Sequence, residues 1–97
     1  MLCSESEIQD ALAGLPQWKR DGSTLEATFQ FPSFSEAMAF VNRVAALAEE
    51  ANHHPDIDIR WNKVRLTLTT HSAGGLTTKD FELARQLLDV ATARPKT

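Results

Sequence analysis

Ninety-seven residues, 42% hydrophobic, 24% charged and 7% aromatic, describe a single globular domain over 1–97 and exclude a disordered, fibrous or multidomain chain. The net charge of −3, with ten scattered basic residues, argues against direct nucleic-acid binding, which needs a dense Lys/Arg patch. A chain this short buries roughly 60–65% of its unfolded surface, so self-association is an expected way of adding buried area.

The one cysteine, Cys3, leaves no intramolecular disulfide and no cysteine-based metal site, which fits a reducing compartment. The first twenty residues lack a basic n-region and an apolar h-region, and no apolar run reaches spanning length. The expected location is therefore cytoplasmic, with no membrane partner.

In chain order, Ser4 and Glu7 have capping-box spacing ahead of Ile8 and Leu12, predicting a first helix over 5–13 that ends at Gly14 and Pro16. Trp18 to Ser23 reads as a short strand and turn. TLEATFQF then alternates, with Leu25, Ala27, Phe29 and Phe31 on one face. Ser33 and Glu36 form a second capping box before an amphipathic helix whose stripe is Phe34, Met38, Val41, Val44 and Ala48, widened by Phe40, Leu47 and Ala51. That helix should stop at 51–53, because Pro55 disfavours helical backbone at His54. Ile57, Ile59 and Trp61 alternate against Asp56, Asp58 and Arg60, and Val64, Leu66 and Leu68 against Arg65, Thr67 and Thr69, predicting a hairpin turning near Asn62-Lys63. Thr77 and Asp80 form a third capping box before a helix carrying Phe81, Ala84, Leu88 and Ala91, closed by Pro95. The expected fold class is α+β: a four-stranded antiparallel sheet with three helices on one face, in the order α-β-β-α-β-β-α.

All three histidines lie between positions 53 and 71, each at the edge of a regular element. His53-His54 closes the second helix, and His71 follows the last strand with the parity of its polar residues. Imidazoles trade protons near neutral pH, so their convergence would make a general acid/base site. Two plainer readings stand beside that one: the pair caps a helix whose negative end favours imidazolium, or the rings are simply solvated. Adjacent histidines diverge by about 100° on a helix and rarely reach one metal ion. Glu49, one turn before His53, could orient its ring or be a solvated pair. Asp80 reads first as a cap and Trp61 as a packing residue.

Glu49-x-x-x-His53-His54-Pro55, then Trp61, then Thr70-His71, then Gly75-Leu76-Thr77-x-x-Asp80 together resemble the signature of the pterin-4a-carbinolamine dehydratases. The resemblance covers nearly the whole chain. It implies a lyase that removes water from 4a-hydroxytetrahydrobiopterin to give quinonoid dihydropterin, in recycling of that cofactor after aromatic amino-acid hydroxylation. It also implies His53, His54, His71 and Asp80 as the catalytic set, Glu49, Pro55, Trp61, Thr69 and Thr70 around the pterin, no metal or tightly held cofactor, and a homodimer or homotetramer. Elimination needs one imidazole as base and a protonated one as acid; a helix C-terminus favours the acid at His53-His54 and leaves the base to His71. Ile57, where many relatives carry an aromatic, and Lys79, where some carry Arg, bear on pocket shape. Related domains also serve as partner-binding, assembly or coactivator proteins, which is the competing expectation for this chain.

Overall fold

The computed structural model describes residues 1–92. The elements are α1 (Glu5–Ala13), β1 (Lys19–Asp21), β2 (Thr24–Gln30), α2 (Phe34–Ala51), β3 (Asp56–Arg60), β4 (Lys63–Leu68) and α3 (Thr78–Thr92), with a 3-10 turn at His71–Ala73. Pro95, expected to close α3, lies outside the described residues. The four strands are antiparallel in the order β1-β2-β4-β3, so the element order and sheet type match the expected α+β fold.

Register explains where the core sits. Leu25, Ala27 and Phe29 pair with Leu68, Leu66 and Val64, and opposite residues in an antiparallel ladder share a face. All six are buried under the helices. The buried line of α2 is Ala37, Phe40, Val44 and Ala48, not the line through Phe34, Met38 and Val41: Phe34 remains 51% exposed, because α2 turns its Ala37 side to the sheet. Phe40 packs edge-on to Phe29 at 5.4 Å and beside Phe31 at 5.0 Å, and these contacts set that rotation. In α3 the buried line is Asp80, Leu83, Ala84 and Leu87, at i, i+3, i+4 and i+7, so a carboxylate heads an otherwise apolar stripe.

Local chemistry closes the helices. Ser4 and Glu7 make a complete capping box. At α2 the box is only half made: Ser33 Oγ accepts from the Glu36 N–H at 3.1 Å, while the Glu36 carboxylate meets the Ser33 hydroxyl. Asn52 turns left-handed at φ 50, its N–H reaching the Glu49 carbonyl and the His53 N–H reaching the Ala48 carbonyl. This paired closure is a Schellman turn, which Asn tolerates because its short side chain permits the left-handed region.

The β3–β4 turn consists of Trp61 and Asn62, one residue earlier than expected, since Arg60 pairs with Lys63. Asn62 is buried and held twice by Phe31: its Nδ2 donates to the Phe31 carbonyl at 2.7 Å and its carbonyl accepts the Phe31 N–H at 2.9 Å. With Asn62 fixed, Trp61 takes the left-handed position at φ 52, while its ring stands 69% exposed. A bulky residue there carries strain of about 1–2 kcal/mol. Trp61→Asn is therefore expected to stabilise the protein by about 1 kcal/mol in urea unfolding. A loss of stability would show that the exposed ring packs for more than the strain costs.

Candidate active site

The site begins at the end of α2. A Schellman turn reverses the chain tightly, so His53 swings inward to Asp80 in the first turn of α3 while its neighbour His54 points to solvent. The His53 side chain is 11% exposed, and its Nε2 lies 2.6 Å from Asp80 Oδ1. Asp80 is fully buried, a position a carboxylate tolerates only when its oxygens are well partnered. Its Oδ2 accepts the Thr77 N–H at 2.9 Å and the Thr70 hydroxyl at 2.8 Å. Asp80 thus performs the expected capping of α3 with one oxygen and holds a histidine with the other. The reciprocal half of that box differs: Thr77 Oγ1 accepts from the Lys79 N–H at 3.3 Å, one residue short of Asp80.

Because an ionised carboxylate only accepts, His53 Nε2 donates to Asp80 and Nδ1 is the ring atom left for exchange with a ligand. The Asp80 charge also reaches the N-terminal segment, where the Cys3 N–H bonds the Leu76 carbonyl. Burial, then Glu7, then Asp80 push the Cys3 thiol above its ordinary range.

His71 opens the 3-10 turn immediately after Thr70 and is exposed. The strand parity assigned to it does not apply, since β4 ends at Leu68 and an isolated bridge between Thr70 and Gly75 carries the chain into the turn. His53, Asp80 and Thr70, from three different segments, are joined by two hydrogen bonds, and His71 follows Thr70 directly in the chain. His54 Nε2 lies 2.5 Å from Glu49 Oε2, with both side chains more than half exposed. Glu49 therefore orients His54 rather than His53; α2 stops at Ala51, and the left-handed Asn52 breaks the helical i+4 relation. As a surface ion pair it contributes little stability.

Thr69 Oγ1 donates to the Ser23 carbonyl at 2.7 Å, tying the end of β4 to the β1–β2 turn. Pro55 is half-buried and leads His54 into β3. Trp61 is the residue set apart: β3 separates it from Pro55 by six residues, about 20 Å of strand. Within one chain it does not adjoin the histidines. Thr77 was legible only as a helix cap, yet its hydroxyl lies 2.8 Å from Thr70 Oγ1 in the same buried cluster; the Thr-x-x-Asp spacing was the available signal.

A cavity of about 410 Å³ opens elsewhere, among Phe29, Phe31, Phe40, Glu36 and Arg43, and its walls carry no histidine. Among the described residues no group of three or more His, Cys, Asp or Glu side chains is placed to hold a metal ion, and no helix is long and apolar enough to cross a membrane.

The chain is 59% identical to a protein of Roseiflexus sp. (strain RS-1), provisionally named a pterin-4-alpha-carbinolamine dehydratase, over 90% of this chain and 94% of that one. A similarly named protein of Thermomicrobium roseum is 56% identical over 91% and 95% of the two chains. Among solved structures, a transcriptional coactivator/pterin dehydratase from Brucella melitensis superposes with a TM-score of 0.90 at 34% identity, covering 94% of this chain and 99% of that one. A pterin dehydratase-like protein described as a RuBisCO assembly factor in the alpha-carboxysome superposes with a TM-score of 0.68 at 27% identity, over 80% and 93%. The family model for pterin 4 alpha carbinolamine dehydratase matches residues 1–90, a span that takes in every strand and the whole His53–Asp80–Thr70 cluster, and the chain belongs to that family.

Proposed function

We propose that this chain is an active dehydratase that removes water from a 4a-hydroxytetrahydropterin. The observation that carries the reading is the His53–Asp80 pair: a ring held by a fully buried carboxylate, with one nitrogen left free, while the exposed His71 directly follows Thr70, another partner of that carboxylate. Capping α3 occupies Asp80 Oδ2 alone, and a domain kept only for partner binding has no need of the second oxygen's bond to His53.

In the reaction a base takes the N5 proton, the N5–H electrons become the N5=C4a double bond, the C4a–O bond breaks, and an acid protonates the departing hydroxide to water. His53 suits the acid role. As imidazolium it donates Nε2–H to Asp80 and keeps Nδ1–H for the leaving group. After transfer it stays on Asp80 as the neutral Nε2–H tautomer. His71, solvent-exposed and free to reload, serves as base, and His54 with Glu49 flanks the substrate. Thr69, Thr70 and Pro55 shape the wall behind it.

The free edge of β3 supports a homo-oligomer. Ile57, Ile59 and Trp61 are exposed there, and an antiparallel pairing of two copies centred on Asp58 would set Asp56 against Arg60 and Ile57 against Ile59 on both sides. Such a register would also bring Trp61 of one copy beside Pro55 of the other.

The activity is tested by stopped-flow decay of freshly generated 4a-hydroxytetrahydropterin at neutral pH. Acceleration proportional to protein concentration, over many turnovers, is expected. An unchanged spontaneous rate would contradict the proposal and favour the coactivator or assembly role named for the two structural neighbours.

A further inference from the structure

Trp61 belongs to the set expected around the pterin, yet within one chain the length of β3 separates it from the histidines. It sits at φ 52, whereas Asn62 after it has no positive φ. Two-residue hairpin turns with positive φ at the first position alone take Gly there, because a side chain is strained. The chain gains nothing in return, since the ring stands 69% exposed. Backbone strain of this kind collects at functional sites.

The edge beside Trp61 says what meets the ring. β3 pairs with β4 on one side and leaves its other edge free. Arg60 and Lys63 close the turn as a hydrogen-bonded pair, and backbone groups alternate along a strand, so Ile57 and Ile59 direct their N–H and C=O to the free edge. Two-fold antiparallel pairings that use those groups are centred on Ile57, Asp58 or Ile59. Centring on Ile57 sets Asp56 against Asp58 on both sides of the axis, and like charges directly opposite destabilise a ladder. Centring on Ile59 joins only Asp58 to Arg60 as strand and pushes Ile57 against the turn. Centring on Asp58 takes in the whole of Asp56–Arg60, uses both isoleucines and sets Asp56 against Arg60 on each side. The two Asp58 carboxylates then meet once, on the axis, each with its own Arg60 at 3.2 Å.

In that pairing Trp61 falls opposite Pro55, the residue after His53-His54. Ile57 and Ile59 share a face with Leu66 and Val64, the face the helices cover, and α2 delivers His53 to Asp80 on that same side. We infer that the dehydration site is shared between two copies: Trp61 of the partner subunit reaches across the strand pair to His53-His54 and gives the planar pterin an aromatic surface to stack on. The inference rests on the dehydratase reading of this site and deepens it. The strain at Trp61 is then held for the neighbouring site, and Trp61→Asn, which relieves it, removes the stacking surface.

Two kinetic readouts test this. Trp61→Asn is expected to raise KM about ten-fold with kcat nearly unchanged, as loss of a ground-state contact does. A purely structural role alters stability and leaves KM where it was. The second readout mixes chains: Trp61→Asn and His53→Ala proteins are unfolded together in urea, refolded by dilution and assayed well below KM. In a mixed pair the His53 of one copy meets the Trp61 of the other, so one site is complete, and the mixture is expected to run at about a quarter of the wild-type rate. If Trp61 serves its own chain, the mixture keeps half the rate of Trp61→Asn, about one-twentieth of wild type. That result overturns the inference, as does wild-type KM in Trp61→Asn. If the variants do not refold, sedimentation of the wild-type protein decides: a dimer or larger assembly is expected, and a monomer that turns over substrate overturns the inference. An inactive wild-type protein defeats the dehydratase reading itself, an outcome seen in the unmixed assay before any variant is made.

Discussion

His53→Ala is expected to lower kcat for dehydration by about 10²–10⁴-fold, the range a positioned general acid or base contributes. KM should change much less, because the ring acts on the proton transferred in the transition state rather than on ground-state binding. Stability should hold within about 1–2 kcal/mol, for a reason specific to this site: the cluster behind His53 stays intact, with Thr70 and the Thr77 N–H still on Asp80 Oδ2. Only Oδ1 loses its partner, and the truncated side chain admits water to it. Parallel turnover assays and urea titrations separate the two effects. A variant with wild-type kcat would remove His53 from the mechanism.

Asp80→Ala inverts that profile by striking stability first. Truncation leaves the Thr77 N–H without its acceptor and the Thr70–Thr77 hydroxyl pair one acceptor short in a buried site, His53 without its anchor, and α3 without half of its cap. Breaking a buried charged network of this kind costs about 3–5 kcal/mol. For a small domain with 5–15 kcal/mol in total this is a large share, and at roughly 4–8 °C per kcal/mol the melting temperature should fall by more than about ten degrees. Calorimetry or thermal denaturation followed by circular dichroism checks it. A fall comparable to that of an ordinary surface substitution would mean that the cluster does not hold the N-terminus of α3 in place.

The sheet and helices were legible because their signals are local. Alternation at Leu25, Ala27 and Phe29 and again at Val64, Leu66 and Leu68 states which face is buried, and the register confirms that these two sets oppose one another. Caps at Ser4 and Ser33 were readable at three-residue spacing. What escaped depends on contacts between distant segments. The hairpin shifted by one residue because Phe31, far away in sequence, captures both the side chain and the carbonyl of Asn62. The buried line of α2 rotated toward Ala37 because Phe40 had to meet Phe29 and Phe31.

The site divides in the same way. The histidines, Asp80 and their spacing were visible as a set, but which acid serves which ring was not. Helical extrapolation from Glu49 reaches His53; the left-handed Asn52 hands Glu49 to His54 instead and turns His53 inward to Asp80. Asp80 looked like a cap because capping leaves a pattern three residues wide, whereas its bond to His53 spans twenty-seven positions and leaves none. Trp61 shares the strand parity of Ile57 and Ile59, yet it sits in the turn beyond β3, at the strand end remote from His54. Spacing along the chain does not reveal that separation.

The most direct measurement of the account is dehydration kinetics of Asp80→Asn beside wild type. Asparagine keeps the size of the side chain and an oxygen for the Thr77 N–H, so the fold should persist. An amide NH₂ facing His53 forces Nε2 to accept, so the ring loses the partner that holds its second proton and cannot serve as the imidazolium acid. The predicted result is a kcat reduced by at least about a hundred-fold in a protein that unfolds at nearly the wild-type urea concentration. Wild-type turnover in a folded Asp80→Asn protein would contradict the claim that this buried carboxylate sets the histidine for catalysis.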